Sequence, residues 1–143
     1  MKITICGSLD FTHEIGKIKN ELERAGHAVS IPFTSQAILD GEFSLEEIKN
    51  RKETGTIVER MIKHDVIKAH YEKIKSSDAI LVPNFDKKGI NNYIGGNTFL
   101  EMGFAHVLGR HVFLLNPIPK MHYTDEIRAM QPVVLSGDLS KVV

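Results

Sequence analysis

Residues Asp78–Leu115 read DAILVPNFDKKGINNYIGGNTFLEMGFAHVLGRHVFLL. Asp78–Pro83 is a short apolar run closed by a proline, and reads as a buried strand. Asn84–Gly96 is rich in turn formers and reads as a loop. Thr98–Leu108 carries a helical pattern that Gly109 stops, and His111–Leu115 is a second apolar strand. A strand, a covering helix and a further strand make a crossover unit, which requires parallel pairing with the helix laid over one face of the sheet.

The rest of the chain repeats that alternation. Upstream, residues 2–6 (KITIC) form a β-rich run ending in Gly7-Ser8. Phe11–Ala25 follows, with Ile15, Ile18 and Leu22 at helical spacing, and Gly26 stops it. His27–Ile31 is another strand, ended by Pro32. Phe33–Ser44 has no clear period and carries turn residues at Asp40-Gly41, so it is expected to be a loop that could serve as a lid. Leu45–Arg51 is a brief helix. Gly55–Lys75 is predicted as one long helix whose stripe is Val58, Met61, Ile62, Val66 and Ala69, with Asp65 inside it. Downstream come a short helix near Asp125–Met130 and a fifth strand at Pro132–Leu135. The expected architecture is a single domain over residues 1–143, a three-layer α/β sandwich. Its five-stranded, mostly parallel sheet has the order 2-1-3-4-5.

In that order the chain reverses direction between strands one and three, and ligands bind in the crevice at their carboxyl ends. The loops lining it are Cys6-Gly7-Ser8 and Tyr93–Asn97, and the second leads into Glu101. Glu101 has two readings. With Thr98 as helix cap, T-x-x-E is a capping box and the glutamate only bonds its own backbone. Alternatively Glu101 points into the crevice as an ionised nucleophile. The meeting of two glycine turns at the crevice favours the second reading.

A carboxylate facing a bound sugar can attack the anomeric carbon, release a base and hold the sugar as an ester. A second polar group should then face the cleft. Asp65 and His70 are the candidates, against structural pairing for the first and a surface position for the second. Gly7 and Ser8 can cradle a phosphate or ribose. Asp10 would repel a 5′-phosphate unless it points away or binds a sugar hydroxyl. Tyr93 can stack on a base, and Gly95, Gly96 and Asn97 shape the sugar or phosphate pocket.

Composition narrows the partners. Eighteen basic residues balance eighteen acidic ones with no basic run, which argues against a nucleic-acid polymer and for a small ligand. The single Cys6 excludes an intramolecular disulfide and reads as a small buried residue. No Cys/His spacing suggests a zinc site. The absence of a signal peptide or a long apolar run leads to the expectation of a cytoplasmic protein with no membrane partner.

With ICGS ending strand one, SSDAILVP at strand three, and GGNTFLEMGFAHVLGRHVFLL after it, the chain resembles the nucleoside 2-deoxyribosyltransferase superfamily, including the 2′-deoxynucleoside 5′-phosphate N-hydrolases. The likeness runs over nearly the whole length. It is most specific at Leu100-Glu101-Met102-Gly103-Phe104-Ala105, where the family's nucleophilic glutamate falls on Glu101. The resemblance implies a flavodoxin-like, Rossmann-like fold and cleavage of the N-glycosidic bond of a 2′-deoxynucleoside or its 5′-monophosphate. It also implies neither metal nor cofactor, and a homo-oligomer, dimer or higher, in which a neighbour completes the pocket. The chain departs from the family pattern at four places. His70 stands where members commonly place an Asp, Thr4 replaces an aromatic, Leu9-Asp10 replaces an arginine, and Gly95 replaces a polar residue. Those departures keep two rivals open: a non-catalytic nucleotide-binding or sensing module on the same fold, and a hydrolase using His70 and water without an ester.

Overall fold

Aliphatic residues fill the strands because helices cover both faces of the sheet. The computed structural model describes residues 1–55, 62 and 65–143. Strands β1 (Lys2–Ile5), β2 (Ala28–Ser30), β3 (Ala79–Val82), β4 (His111–Leu114) and β5 (Val133–Val134) form one sheet in the order β2-β1-β3-β4-β5. Every neighbouring pair is parallel. The expected order and fold class are those observed. Among the described residues the helices are α1 (Thr12–Arg24), α2 (Phe33–Leu39), α3 (Leu45–Glu53), α4 (Val66–Lys75), α5 (Gly96–Val107) and α6 (Thr124–Ala129). None among the described residues is long and apolar enough to cross a membrane.

Successive strand residues point to opposite faces, so the sheet divides two cores. Ile3, Ile5, Ala79 and Leu81 pack with Ile15, Ile18 and Leu22 of α1. On the other face, Cys6, Ile80 and Val82 pack with Ile74 of α4, Met102 and Ala105 of α5, and Ile127 of α6. The first core holds the sheet to α1. The second holds α4 and α5 side by side over β1 and β3, and it is this face that carries the candidate functional side chains Glu101 and His70.

Two expectations are corrected. Residues 33–39, read as part of a lid loop, form α2. Pro32 stands before its first turn with φ −54°, and Ser35, Ala37 and Ile38 are buried against the molecule. Two turns are too short for the hydrophobic period to show in sequence. The long helix predicted over Gly55–Lys75 is not continuous. Asp65 takes the left-handed conformation, φ 43° and ψ 55°, and α4 begins only at Val66. The Asp65 carboxylate accepts the Lys68 backbone N–H at 3.3 Å, so a short polar residue that tolerates that conformation caps the new helix. Val58 and Met61 of the predicted stripe lie outside the described residues.

Candidate active site

Three elements converge at the carboxyl edge of the sheet. Alternation along β1 sends Cys6 to the face covered by α4 and α5, and its backbone N–H extends the ladder to β3 by donating to the Leu81 carbonyl at 2.9 Å. Gly7 follows at a point of close approach, where an added Cβ would lie 3.0 Å from Cγ of Pro83. The absence of a side chain at residue 7 thus lets the loops after β1 and β3 approach this closely without Pro83 having to shift.

Helix α5 starts at Gly96, with Gly95 as a cap that offers no side-chain bond. Thr98 lies inside the helix and is buried, so the T-x-x-E capping box does not form. Glu101 is thereby in the second turn, beside the buried stripe of Thr98, Met102 and Ala105, and it is free to reach across to α4. On α4, His70 and Ile74 are buried one turn apart. His70 is only 6% exposed, in place of the surface position expected for a lone histidine. Its Nε2 lies 3.4 Å from Cys6 Sγ and 3.6 Å from Glu101 Oε1.

Burial governs the charges of this trio. It raises the Glu101 pKa from 4.5 to about 7, and the Cys6 thiol, hydrogen-bonded to the carboxylate, pulls it back in part. Burial, reinforced by the charge of Lys73, lowers the His70 pKa to about 4. Burial and the neighbouring Glu101 push the Cys6 thiol well above its ordinary range. Near neutral pH the imidazole is uncharged, so the His70–Glu101 contact is a polar contact and no ion pair. Glu101 then stands at the midpoint of its titration.

His70 and Glu101 open on a cleft of about 210 Å³, with Cys6 fully buried behind them. Gly7, Asn97, His70 and Glu101, all predicted site residues, line it. Sequence reasoning missed its far wall, where Phe33 from α2 and Ile48, Arg51 and Lys52 from α3 face the same space. It also took Cys6 for plain packing, although the period of two along β1 would have set it on the same face as Ile80.

The other predicted residues lie elsewhere. Ser8 accepts hydrogen bonds from the Asp10 N–H at 3.3 Å and from Lys87 Nζ at 2.8 Å. Asp10 pairs with Lys87 at 2.7 Å and with Lys49 at 3.5 Å. Burial raises the Asp10 pKa, but the hydrogen bond and charge of Lys87, joined by Lys49, outweigh it and hold the carboxyl below its ordinary value. The repulsion expected between Asp10 and a phosphate is thus offset by two lysines. Tyr93 lies against Gly95, with the Lys87 and Lys88 ammonium groups each 5.7 Å from its ring centre. Gly96 borders a separate apolar groove with Phe104 and Val107. Asp65 is exposed, spent on its own helix, and does not join His70 and Glu101.

Asn84 fastens the rim behind the site. Its side chain donates to the carbonyls of Asn116 and Pro117 at 3.1 and 3.0 Å and accepts from the Asn116 N–H at 2.9 Å, tying the loop after β3 to that after β4.

The same fold occurs in the CMP N-glycosidase BcmB of Clostridium botulinum, which matches 94% of this chain and 84% of its own with TM-score 0.51 and 16% sequence identity. The 2-deoxyribosyltransferase of Bacillus psychrosaccharolyticus aligns with 82% of this chain and 73% of its own, at 22% identity and TM-score 0.48. No protein-family model and no curated protein matches the chain by sequence.

Proposed function

We propose that this protein cleaves the N-glycosidic bond of a 2′-deoxynucleoside 5′-monophosphate, by hydrolysis or by base transfer, with Glu101 as nucleophile. One observation carries the reading: the Glu101 carboxylate is uncapped and lines the cleft bordered by Gly7 after β1 and by helices α4 and α5. One of its oxygens attacks C1′ of the sugar. The C–N bond breaks, its electron pair leaves with the base, and the base takes a proton from solvent. Water then cleaves the glycosyl ester and restores the carboxylate, or a second base takes the sugar in place of water.

The surroundings support each part. The hydrogen bond between the Cys6 thiol and Glu101 supports a positioning role for the thiol, and a neutral His70 lining the same cleft supports a role in holding a sugar hydroxyl. Phe33, Ile48 and Leu100 offer apolar surface to a planar base. Among the described lining residues, the cations Lys52 and Lys73 stand beside the single carboxylate of Glu101, which favours a monophosphate over an uncharged nucleoside. We further read the protein as a homo-oligomer. Val107 is 84% exposed and Leu100 43% on the outer side of α5, beside the groove formed with Phe104, a face that suits a second copy.

The test is incubation with a panel of deoxynucleosides, their 5′-monophosphates and CMP, with chromatographic detection of free base. Release is expected from a monophosphate, falling by about a thousandfold or more in Glu101→Ala. Mass spectrometry of quenched enzyme should find a sugar adduct on Glu101. No release from any compound, or release that Glu101→Ala leaves intact, would leave the non-catalytic binding module as the better account.

A further inference from the structure

We propose that Cys6, His70 and Glu101 together form a binding site for a thiophilic divalent cation of the zinc type, with a fourth coordination position open to the cleft. Each residue offers one ligand atom, and among the described residues theirs is the cluster of this kind, with all three atoms within 4.8 Å of one another. Zinc binds thiolate sulfur at about 2.3 Å, imidazole nitrogen at about 2.0–2.1 Å and carboxylate oxygen at about 2.0–2.2 Å. In a tetrahedron those lengths set neighbouring ligands roughly 3.3–3.6 Å apart. The S–N and N–O separations here are 3.4 and 3.6 Å. Two of the three separations thus already match the spacing that such an ion imposes, and the third, sulfur to carboxylate, is bounded at 4.8 Å, so that closing it takes a side-chain adjustment of about 1 Å or less.

The chemistry of the donors selects the ion. One soft thiolate, one imidazole and one carboxylate suit zinc, whereas calcium and magnesium require shells of oxygen. Charge agrees as well. A thiolate and a carboxylate buried together repel each other and lack hydration, but with a dication the three charges sum to zero. Binding displaces the proton from the Cys6 thiol and, where Glu101 carries one, from its carboxyl. The imidazole is already neutral and releases none. Three protein ligands with one position left open is also the pattern of a site that exchanges water or ligand.

Binding of the ion does not depend on the proposed activity, but one consequence rests on that reading. An ion held by Glu101 withdraws the nucleophile, so zinc should inhibit base release with the same midpoint as its binding.

The experiment is titration of the metal-free protein with Co²⁺, followed by displacement with Zn²⁺. One equivalent of Co²⁺ should produce a thiolate-to-cobalt charge-transfer band in the near ultraviolet and tetrahedral bands in the visible, and Zn²⁺ should abolish both. Cys6→Ser should lose the charge-transfer band. Glu101→Gln, which keeps the side chain's shape, should keep that band but bind at least about tenfold more weakly, the lower bound set by what loss of a mere outer-shell partner costs. Absence of the thiolate band in the parent protein would overturn the site. So would affinity unchanged in Glu101→Gln and His70→Ala, which would place the ion on surface histidines. Should Cys6→Ser fail to fold, the parent spectrum and Glu101→Gln still decide. A cobalt spectrum without base release from any nucleotide keeps the metal site and removes the glycosidase. Base release without a thiolate band does the reverse.

Discussion

Glu101 makes its own contribution to how the molecule responds to pH, opposite in sign to that of buried, neutral His70. The Glu101 pKa is about 7 in the folded protein against 4.5 when free of the fold, so between those values the native state binds the extra proton. Stability from this group is therefore full below pH 4.5 and is lost as pH rises through 7. Glu101→Gln removes that loss. At pH 8 it should be more stable than the parent by about 1–3 kcal/mol in urea unfolding, with the gap closing at pH 4. A constant gap at both pH values would mean that the carboxylate is not held in the buried site described. The same titration controls the proposed chemistry, because only the ionised form attacks. The kcat/KM for base release should rise with pH about a midpoint near 7. The Cys6 thiol holds that midpoint down, so Cys6→Ala should move the rise to higher pH. A pH–rate profile unmoved by the substitution would show that the thiol only fills space.

Helix starts decide which side chains reach the cleft. Because α5 begins at Gly96, Thr98 turns inward and Glu101 is released from any capping duty. Because α4 begins at Val66, the acid of the pair Asp65 and His70 stays on the surface and the histidine enters the site. Asp65→Ala should cost about 1 kcal/mol in denaturant unfolding, the usual loss for a capping residue. Asp65→Asn, which can cap and accept the left-handed backbone, should cost much less. Equal losses in the two variants would contradict the capping role. The loops depend on side chains in the same way. Asn84 is 1% exposed and bonds across to Asn116 and Pro117. Asn84→Ala strands those buried groups and should cost about 2–3 kcal/mol.

For the molecule as a whole, the outer side of α5 is the exposed apolar face that the proposed oligomer would cover. Val107→Glu should leave the circular dichroism unchanged, since that side chain is 84% exposed, yet reduce the particle mass seen by sedimentation. A parent protein that is monomeric at tens of micromolar would end the proposal. Much of this architecture was legible in the sequence. The parallel sheet and its order follow from apolar runs of strand length alternating with helical stripes, because each pattern satisfies its backbone in one way only. Local competition hid the rest. The start of α2 carries a proline and too few turns to display a period, and the break at Asp65 lies within a stripe that reads as continuous.

Sequence by itself determined the layers, the crevice between strands one and three, and the presence of a glutamate in the helix beside it, since these depend on hydrophobic period and chain direction. Tertiary structure alone decided which groups meet that glutamate. Cys6 and His70 are 64 residues apart and come together only because β1 alternation and the α4 packing face point to one spot. That meeting excludes water, and the exclusion of water sets the charge of all three groups.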